Sequence, residues 1–527
     1  MGTANHVGMR LLDAAGQHSE KLALTVAGND YTYADLHAFA ALLARGFVEA
    51  EGRYCALIGG RQFPTLAGLV AALCYGRIYV PIEEDDPADR IATLDRAGAL
   101  GLLLVGAPIS RQLRPILERA TRPMTVVLAD HRDKPGWARR YPRHRMLALR
   151  ELSDLPAARL NTNNPYAYLL FTSGSSGRPK GVLVSHANLA CYLANTMELY
   201  RPTPSDRFSQ LAPLGFDFAV HDLLVPWCAG ASTHVCDTTN GFGLQRFIRD
   251  AMLTFWASVP STASFMQRSG QLQMGAFPSL RQTLFCGEPL REAIAGAWHR
   301  AAPKSRIDNI YGPTEATVAV CGFKWRPPGH GDGESIVPIG RPYRGMRISV
   351  GRPVDAASQD AGAERMGELW ISGPQLVQGY WRGTTVQGQP FECIHGQRWY
   401  RTGDLVTLDD RGLLHFAGRR DGQLKVRGQR LERLDVEARL RRLLGVDEVA
   451  VVGWPVHAEN SVEGLAFFVD SDARGYRDVW KLCTQGLPRA MWPSNIVLGA
   501  LPRTRNGKTN YRRLEEWLEE RSQRTCR

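Results

Sequence analysis

No run of 18 apolar residues occurs anywhere in the 527-residue chain, so no helix able to cross a bilayer is expected. The opening residues, Met1-Gly2-Thr3-Ala4-Asn5-His6, lack the basic-then-apolar pattern of a secretory leader. The ten cysteines lie scattered from Cys55 to Cys526, and no two form a C-x-x-C pair. Zinc sites and disulfide frameworks show tighter spacing, so neither is expected. The sulfurs read as small buried hydrophobes or surface thiols of a cytoplasmic protein. Acid is in deficit as well: 52 Asp and Glu against 64 Lys and Arg leave a net charge of +12. A basic surface attracts nucleic acid or an acidic protein. The arginine-rich stretches at 139–145 and 427–442 come with no zinc finger, basic zipper or RNA-recognition signature, so nucleic acid is not the expected partner.

A chain of this length exceeds one ordinary core, so two or more domains are expected. Leu36, Phe39, Ala40, Leu43, Ala44 and Phe47 recur at spacings of three and four, which predicts one face of a helix. Residues 68–76 read as another helix and Ile78 to Ile82 as a buried strand. Strand, helix and strand in repetition argue for a parallel sheet covered by helices. The Arg/Pro-rich residues 112–148 read as a variable surface excursion. Two further sheet-and-helix units are expected over 166–320, and short strands with Gly/Pro turns predict a small β-rich subdomain over 336–420. A polar break at Gly418-Arg419-Arg420-Asp421-Gly422 divides the chain, giving expected domains of 1–420 and 421–527. The second reads as a hairpin, a helix near 434–444, strands around Val449 and Leu465, and a last helix from Arg512. The expected class is α/β: a large N-terminal body of sheets covered by helices with a small β subdomain, then a small α+β C-terminal domain on a hinge.

The most informative stretch is Tyr168-Leu169-Leu170-Phe171-Thr172-Ser173-Gly174-Ser175-Ser176-Gly177-Arg178-Pro179-Lys180-Gly181. A buried-type strand ends abruptly in hydroxyls and glycines, and a lysine follows. Glycines let backbone N–H groups converge, hydroxyls add donors, and the cation completes a cradle for a polyphosphate. The same composition also suits a flexible turn. It is not a Walker A loop, because Lys180 lies between Pro179 and Gly181. Further on, Asn309-Ile310-Tyr311-Gly312-Pro313-Thr314-Glu315 offers a ring to stack on a purine, a hydroxyl for a phosphate and a carboxylate for Mg²⁺. Trp399-Tyr400-Arg401-Thr402-Gly403-Asp404-Leu405 presents a carboxylate that could accept from a ribose diol. The break at 418–432 and Leu501-Pro502-Arg503-Thr504-Arg505-Asn506-Gly507-Lys508 complete the set.

These five stretches, in order and spacing, resemble the adenylate-forming superfamily: acyl-CoA synthetases, luciferases and the amino-acid-activating domains of nonribosomal peptide synthesis. The resemblance implies a reaction in which a carboxylate attacks the α-phosphorus of ATP and pyrophosphate leaves. It assigns ATP to Thr172, Ser173, Gly174, Ser175, Ser176 and Lys180, and to Asn309, Tyr311, Gly312, Asp404 and Arg419. Thr314 would touch the α-phosphate, Glu315 would hold Mg²⁺, and Lys508 would bridge the substrate carboxylate and the α-phosphate. Asp421 would be the hinge, with Lys425 and Gly428 on the face used for thioester formation. Asn510 departs from the aspartate common in that family.

Leu214-Gly215-Phe216-Asp217-Phe218-Ala219-Val220-His221 sets a carboxylate in an apolar stretch. A buried carboxylate needs a partner. A helix cap is one reading; a counter-ion for a substrate ammonium is the other. The segment resembles the amino-acid-activating branch, where an aspartate holds the α-amino group. By the same resemblance Phe218, His221, Ser258, Leu284, Cys286, Ile310, Val318 and Ala319 line the side-chain pocket, and the substrate side chain is small or medium. Several segments are similar to D-alanine–carrier protein ligases, which makes D-alanine a candidate, while His221 departs from that pattern. The chain ends nineteen residues after Lys508, so the expected enzyme is free-standing and loads an acidic, phosphopantetheine-bearing carrier protein in trans. Two alternatives stay open: an acyl-CoA or aryl-CoA ligase using free CoA, and an inactive relative kept as a binding module.

Overall fold

The structure is a computed structural model whose described residues are all except 1–5, 49, 84–92, 97–99, 107–112, 130–133, 173–179, 238–241, 328–334, 354–365, 383–384, 388–389, 421–422, 427–428, 447, 458–460, 471–474, 503–508 and 526–527. Two nine-stranded sheets dominate. The first runs, by spatial order, through Arg341–Pro342, Cys321–Trp325, Arg306–Tyr311, Gln282–Cys286, Phe255–Ser258, Arg207–Gln210, Ser232–Val235, Leu22–Val26 and Asn29–Thr32. Its six central strands are parallel, and antiparallel strands close both edges. The second runs through Thr385–Gln387, Tyr380–Arg382, Lys180–Ser185, Tyr166–Thr172, Ile78–Ile82, Tyr54–Ile58, Leu102–Val105, Thr125–Leu128 and Arg145–Ala148. From Tyr166–Thr172 onward it is parallel throughout.

Parallel strands are covered by helices on both faces, so they lose the polar alternation of a half-exposed strand. Leu102–Val105, Thr125–Leu128 and Ile78–Ile82 are buried at every position. The helix Tyr33–Val48 buries Leu36, Ala40, Leu43, Ala44 and Phe47 against the common core, as the spacing predicts. It starts where the Asp35 carboxylate accepts from the backbone N–H of Thr32 at 2.9 Å and from its hydroxyl at 2.7 Å. The helix read from 68–76 spans Phe63–Cys74, with proline in its first turn.

One expectation fails. Residues 112–148 are not a surface excursion. They supply the strands Thr125–Leu128 and Arg145–Ala148 and the helices Leu113–Arg119 and Lys134–Arg140, which finish the second sheet. Arginine and proline flank a four-residue apolar run there, and the flanks dominate the composition.

A five-stranded antiparallel sheet spans Arg347–Val350 to Leu414–Arg419, in agreement with the expected β-rich subdomain. The three clusters of the body end at Phe416, and two other clusters begin at Leu424 and run to Leu518. These last residues form a hairpin Gln423–Val426/Gln429–Glu432, helices Arg433–Leu444, Tyr476–Gly486 and Tyr511–Thr525, and a three-stranded sheet. Arg268 and Glu463 form an ion pair of 2.7 Å between the two parts. Among the described residues no helix is long and apolar enough to cross a membrane.

Candidate active site

Ligands of open parallel sheets sit beyond the carboxyl ends of the strands. Three adjacent strands of the first sheet end there in Ser258, Cys286 and Tyr311. In register, Leu284 lies beside Asp308 and Cys286 beside Ile310. Partners in a parallel pair share a face, and alternate residues share a face along a strand. Leu284, Cys286 and Ile310 therefore stand together, and all three join the core between the two sheets. Ser258 does not stand with them. It pairs with Phe285, which puts it on the opposite face, where its hydroxyl accepts from Trp256 Nε1 at 3.0 Å.

Asp217 immediately precedes the helix Phe218–Cys228 and has helical backbone angles, and its side chain makes no capping bond. The capping reading is thereby removed. Its negative charge acts instead on buried phenols. Burial and then the Asp217 carboxylate hold the Tyr79 hydroxyl above its ordinary range. Tyr168 is raised by burial first, and by Tyr79 and Asp217 after it. One turn on, His221 is buried, and its Nδ1 lies 2.7 Å from the Tyr192 hydroxyl. Burial pushes the imidazole pKa down to about 3, so the ring is neutral. Its Nε2 has no hydrogen-bond partner.

Beyond Tyr311 the chain enters a short 3₁₀ turn at Thr314–Ala316 and then two β-branched residues in the left-handed region, Thr317 at φ 59° and Val318 at φ 69°. Each such residue costs about 1–3 kcal/mol unless its surroundings hold it. Gln375 supplies that hold. Its Nε2 donates to the carbonyl of Ala319 at 2.8 Å and, at 3.3 Å, to those of Ala316 and Thr317. The Thr317 hydroxyl returns a bond of 2.6 Å to the Gln375 carbonyl, and Asn195 donates to Gln375 Oε1 at 2.9 Å. Gly312 is needed here: a Cβ on it would stand 2.6 Å from the Ala319 Cα. The clamp fixes Val318 and Ala319, both buried in the same core as Cys286 and Ile310.

On the nucleotide side, Asn309, Tyr311 and Gly312 line a narrow cleft with Pro289, Ile339 and Phe416. The Tyr311 hydroxyl donates to Asp404 Oδ2, and Arg419 pairs with Asp404 Oδ1. Asp404 and Arg419 are themselves cross-strand partners. The Asn309 amide nitrogen donates to the carbonyls of Val337 and Pro338, both at 3.0 Å. At the signature loop, Thr172 and Lys180 are cross-strand partners, and the Thr172 hydroxyl has no hydrogen-bond partner among the described residues. Lys180 Nζ lies 5.1 Å from the centre of the Tyr380 ring. The Tyr380 hydroxyl donates to Glu315 Oε1 at 2.6 Å, and Glu315 is fully buried. Ser173, Gly174, Ser175, Ser176, Asp421, Gly428 and Lys508 lie outside the described residues, as does the side chain of Lys425.

A family model for AMP-binding enzymes matches residues 11–381. The chain belongs to the AMP-binding enzyme family. It is thus an ATP-dependent, AMP-forming ligase. Among curated proteins, it is 32% identical over 468 residues to the L-proline–[L-prolyl-carrier protein] ligase of Pseudomonas fluorescens, covering 87% of this chain and 88% of that one. It is 28% identical over 514 residues to the D-alanine–D-alanyl carrier protein ligase of Lacticaseibacillus paracasei, covering 95% and 96%. Among solved structures, the Vibrio cholerae adenylation domain AlmE in complex with glycyl-adenosine-5′-phosphate superposes with a TM-score of 0.83 at 28% identity, covering 98% of each chain.

Sequence reasoning missed Tyr380, Gln375 and Tyr192. The first had a readable signal, an aromatic pair Tyr380-Trp381 after Gly379. Its strand pairs with Lys180–Ser185, with Trp381 opposite Gly181, which carries the phenol to the signature loop. For Gln375 and Tyr192 no local pattern exists, since their partners lie far off in the chain.

Proposed function

We propose that this AMP-binding enzyme activates a small or medium amino acid as its aminoacyl-AMP and transfers it to the phosphopantetheine thiol of a carrier protein. The observation that carries the reading is the placement of Asp217. Its side chain makes no capping bond and its charge reaches the buried phenols of Tyr79 and Tyr168; on this reading it would face Leu284, Cys286, Ile310, Val318 and Ala319, which share one core. A substrate ammonium would pair with that carboxylate. The names of the proline and D-alanine ligases agree with this chemistry.

In the first half-reaction a carboxylate oxygen attacks the α-phosphorus and pyrophosphate leaves. In the second, the thiol attacks the acyl carbon and AMP leaves. The protein's work is to position the groups and offset their charge. Asp217 would hold the amine, Phe218 and His221 would close the pocket behind the α-carbon, and Ser258 would contribute only from the opposite face. Tyr311 and the Asn309 oxygen would take adenine, and Asp404 with Arg419 would take the ribose. Thr172, Ser173, Gly174, Ser175, Ser176 and Lys180 would cradle the phosphates, and Thr314 would donate to the α-phosphate. Glu315, a single buried carboxylate, fits a hard ion that keeps phosphate oxygens and waters as its other ligands; Mg²⁺ bound there would offset phosphate charge. Lys508 would bridge the two anions, delivered by residues 421–527 turning at Asp421 relative to 1–420, with Lys425 and Gly428 on the thioester face.

The test is pyrophosphate exchange into ATP over a panel of small L-, D- and β-amino acids, with Lys508→Ala as control. Exchange with at least one amino acid, falling by about a hundredfold or more in Lys508→Ala, is expected. Exchange with none of them, or free CoA as a good acceptor in an enzyme that survives Asp217→Ala, would overturn the reading.

A further inference from the structure

The antiparallel pair Tyr166–Thr172/Lys180–Ser185 has two ends. Thr172 and Lys180 mark the signature-loop end, and Tyr166 and Ser185 mark the other. Six residues of strand set the two ends about 20 Å apart. A second cavity of about 1040 Å³ opens at the far end, between the start of the helix His186–Tyr200 and the antiparallel subdomain. None of the residues assigned to the adenylation chemistry lines it.

Among the described residues its charged and titratable lining is Arg347, Arg398, His6, His186, His395 and Tyr166, with no aspartate or glutamate. Arg398 is half-buried, and desolvation lowers its pKa. Its hydrogen bonds go to neutral acceptors, the Gln378 side chain at 2.8 Å and the Val377 carbonyl. Arg347 donates to Gln397 Oε1 at 2.7 Å. Neither guanidinium has a carboxylate partner among the described residues; for the half-buried Arg398 this is unusual, since desolvated cations ordinarily acquire one.

The imidazoles add a second anomaly. His6 and His186 are 6% and 4% exposed, and their rings stack with centres 3.7 Å apart. None of the four ring nitrogens has a hydrogen-bond partner among the described residues. Burial, and for His186 also its neighbour, keeps both rings neutral, so each offers one donor and one acceptor. Buried polar atoms are nearly always paired in native proteins. Here a stacked pair of unpaired rings forms part of the wall of a cavity that also holds two cations and a 15-residue helix's amino terminus, an end that favours anions.

We propose that this cavity is a second ligand site, for a small organic oxyanion. The Arg347 and Arg398 guanidinium groups would take the carboxylate or phosphate, and the exposed edge of the stacked His6–His186 pair would pack against the body of the ligand. The volume admits a molecule up to the size of a nucleotide.

Isothermal titration calorimetry of the full chain at constant ionic strength tests this, with citrate as the carboxylate probe and glycerol phosphate as the phosphate probe. The variants are Arg347→Gln/Arg398→Gln, the single exposed change Arg347→Gln, and Lys180→Ala at the signature loop. Saturable binding of at least one probe is expected, weakened tenfold or more in the double variant, weakened less in the single one, and kept in Lys180→Ala. Which probe binds tells carboxylate from phosphate. Amino-acid-dependent exchange should persist in Arg347→Gln, which shows the fold intact. No saturable binding up to about 10 mM overturns the proposal. So does binding abolished by Lys180→Ala, or binding indifferent to Arg347→Gln and to the double change.

Discussion

The two nine-stranded sheets are alike in size and unlike in what their strands contain. In the second, Leu102–Val105 and Thr125–Leu128 are apolar almost throughout and end without chemistry. In the first, the strands Gln282–Cys286 and Arg306–Tyr311 bury Gln282, Thr283, Asp308 and Asn309. Each of these polar groups is engaged: Gln282 donates to Asp308 at 2.7 Å, and Trp298 donates to Thr283 at 2.8 Å. Burial still pushes the Asp308 carboxyl up to about 6. Polar content in a two-sided strand is costly, so its concentration in one sheet marks the sheet whose ends are used. The other sheet contributes stability and, between its interior strands Tyr166–Thr172 and Lys180–Ser185, the signature loop.

The contrast can be broken by substitutions that ought to separate activity from stability. The largest effect should come from Asp217→Ala. Removing the carboxylate leaves a substrate ammonium uncompensated, at about 3 kcal/mol or roughly a hundredfold in kcat/KM for amino-acid-dependent exchange. The melting temperature should stay within a few degrees. Leu103→Ala, in the second sheet, should do the reverse: about 3 kcal/mol lost in denaturant unfolding, with kcat/KM of the folded fraction unchanged. Equal loss of activity in both variants would erase the division of labour. Gln375→Leu removes the clamp on Thr317 and Val318 and should lower both readouts, stability by about 2 kcal/mol. Tyr380→Phe takes the phenol's hydrogen bond from buried Glu315 and should cost about tenfold in kcat and about 1 kcal/mol in stability.

Proton linkage sharpens the contrast at the low end of effect size. His221 and His234 belong to the layers of the first sheet, and burial holds them near 3 and 4. Both are neutral in the fold and ordinary in the unfolded chain, which therefore takes up more protons below about pH 6.5. Their contribution is intact above that pH and is lost as pH falls toward 4. Melting temperature should drop over this window, and His221→Phe should drop less steeply. An unchanged slope would mean that His221 is not held neutral.

Much of this architecture was legible because period and residue type agree. The run Ile78 to Ile82 and the stripe from Leu36 to Phe47 announce a buried strand and an amphipathic helix by pattern alone. Residues 112–148 misled because composition was averaged over flanks that are polar and a strand that is not. For the site, local motifs nominate the proposed nucleotide residues: Thr172, Tyr311 and Asp404 sit in short stretches whose types suit one ligand. At Asp217 a cap and a counter-ion look the same in a string, and the structure removes the cap. Ser258 needed register, because a residue at the last position of a strand has no downstream alternation to fix its face. Tyr380 and Gln375 act on residues about 60 positions away, and no window of sequence spans such a bond.

The helix His186–Tyr200 fastens several of these parts with three of its side chains. Asn188 holds the carbonyls of Pro374 and Leu376, Tyr192 meets His221, and Asn195 holds Gln375. It works as a tie rod: its first turn borders the basic cavity while its middle braces the strained turn and the imidazole behind the pocket. Strain applied at either station is therefore shared by the other, and a loosened anchor at Asn195 would register first as slack in the loop after Glu315.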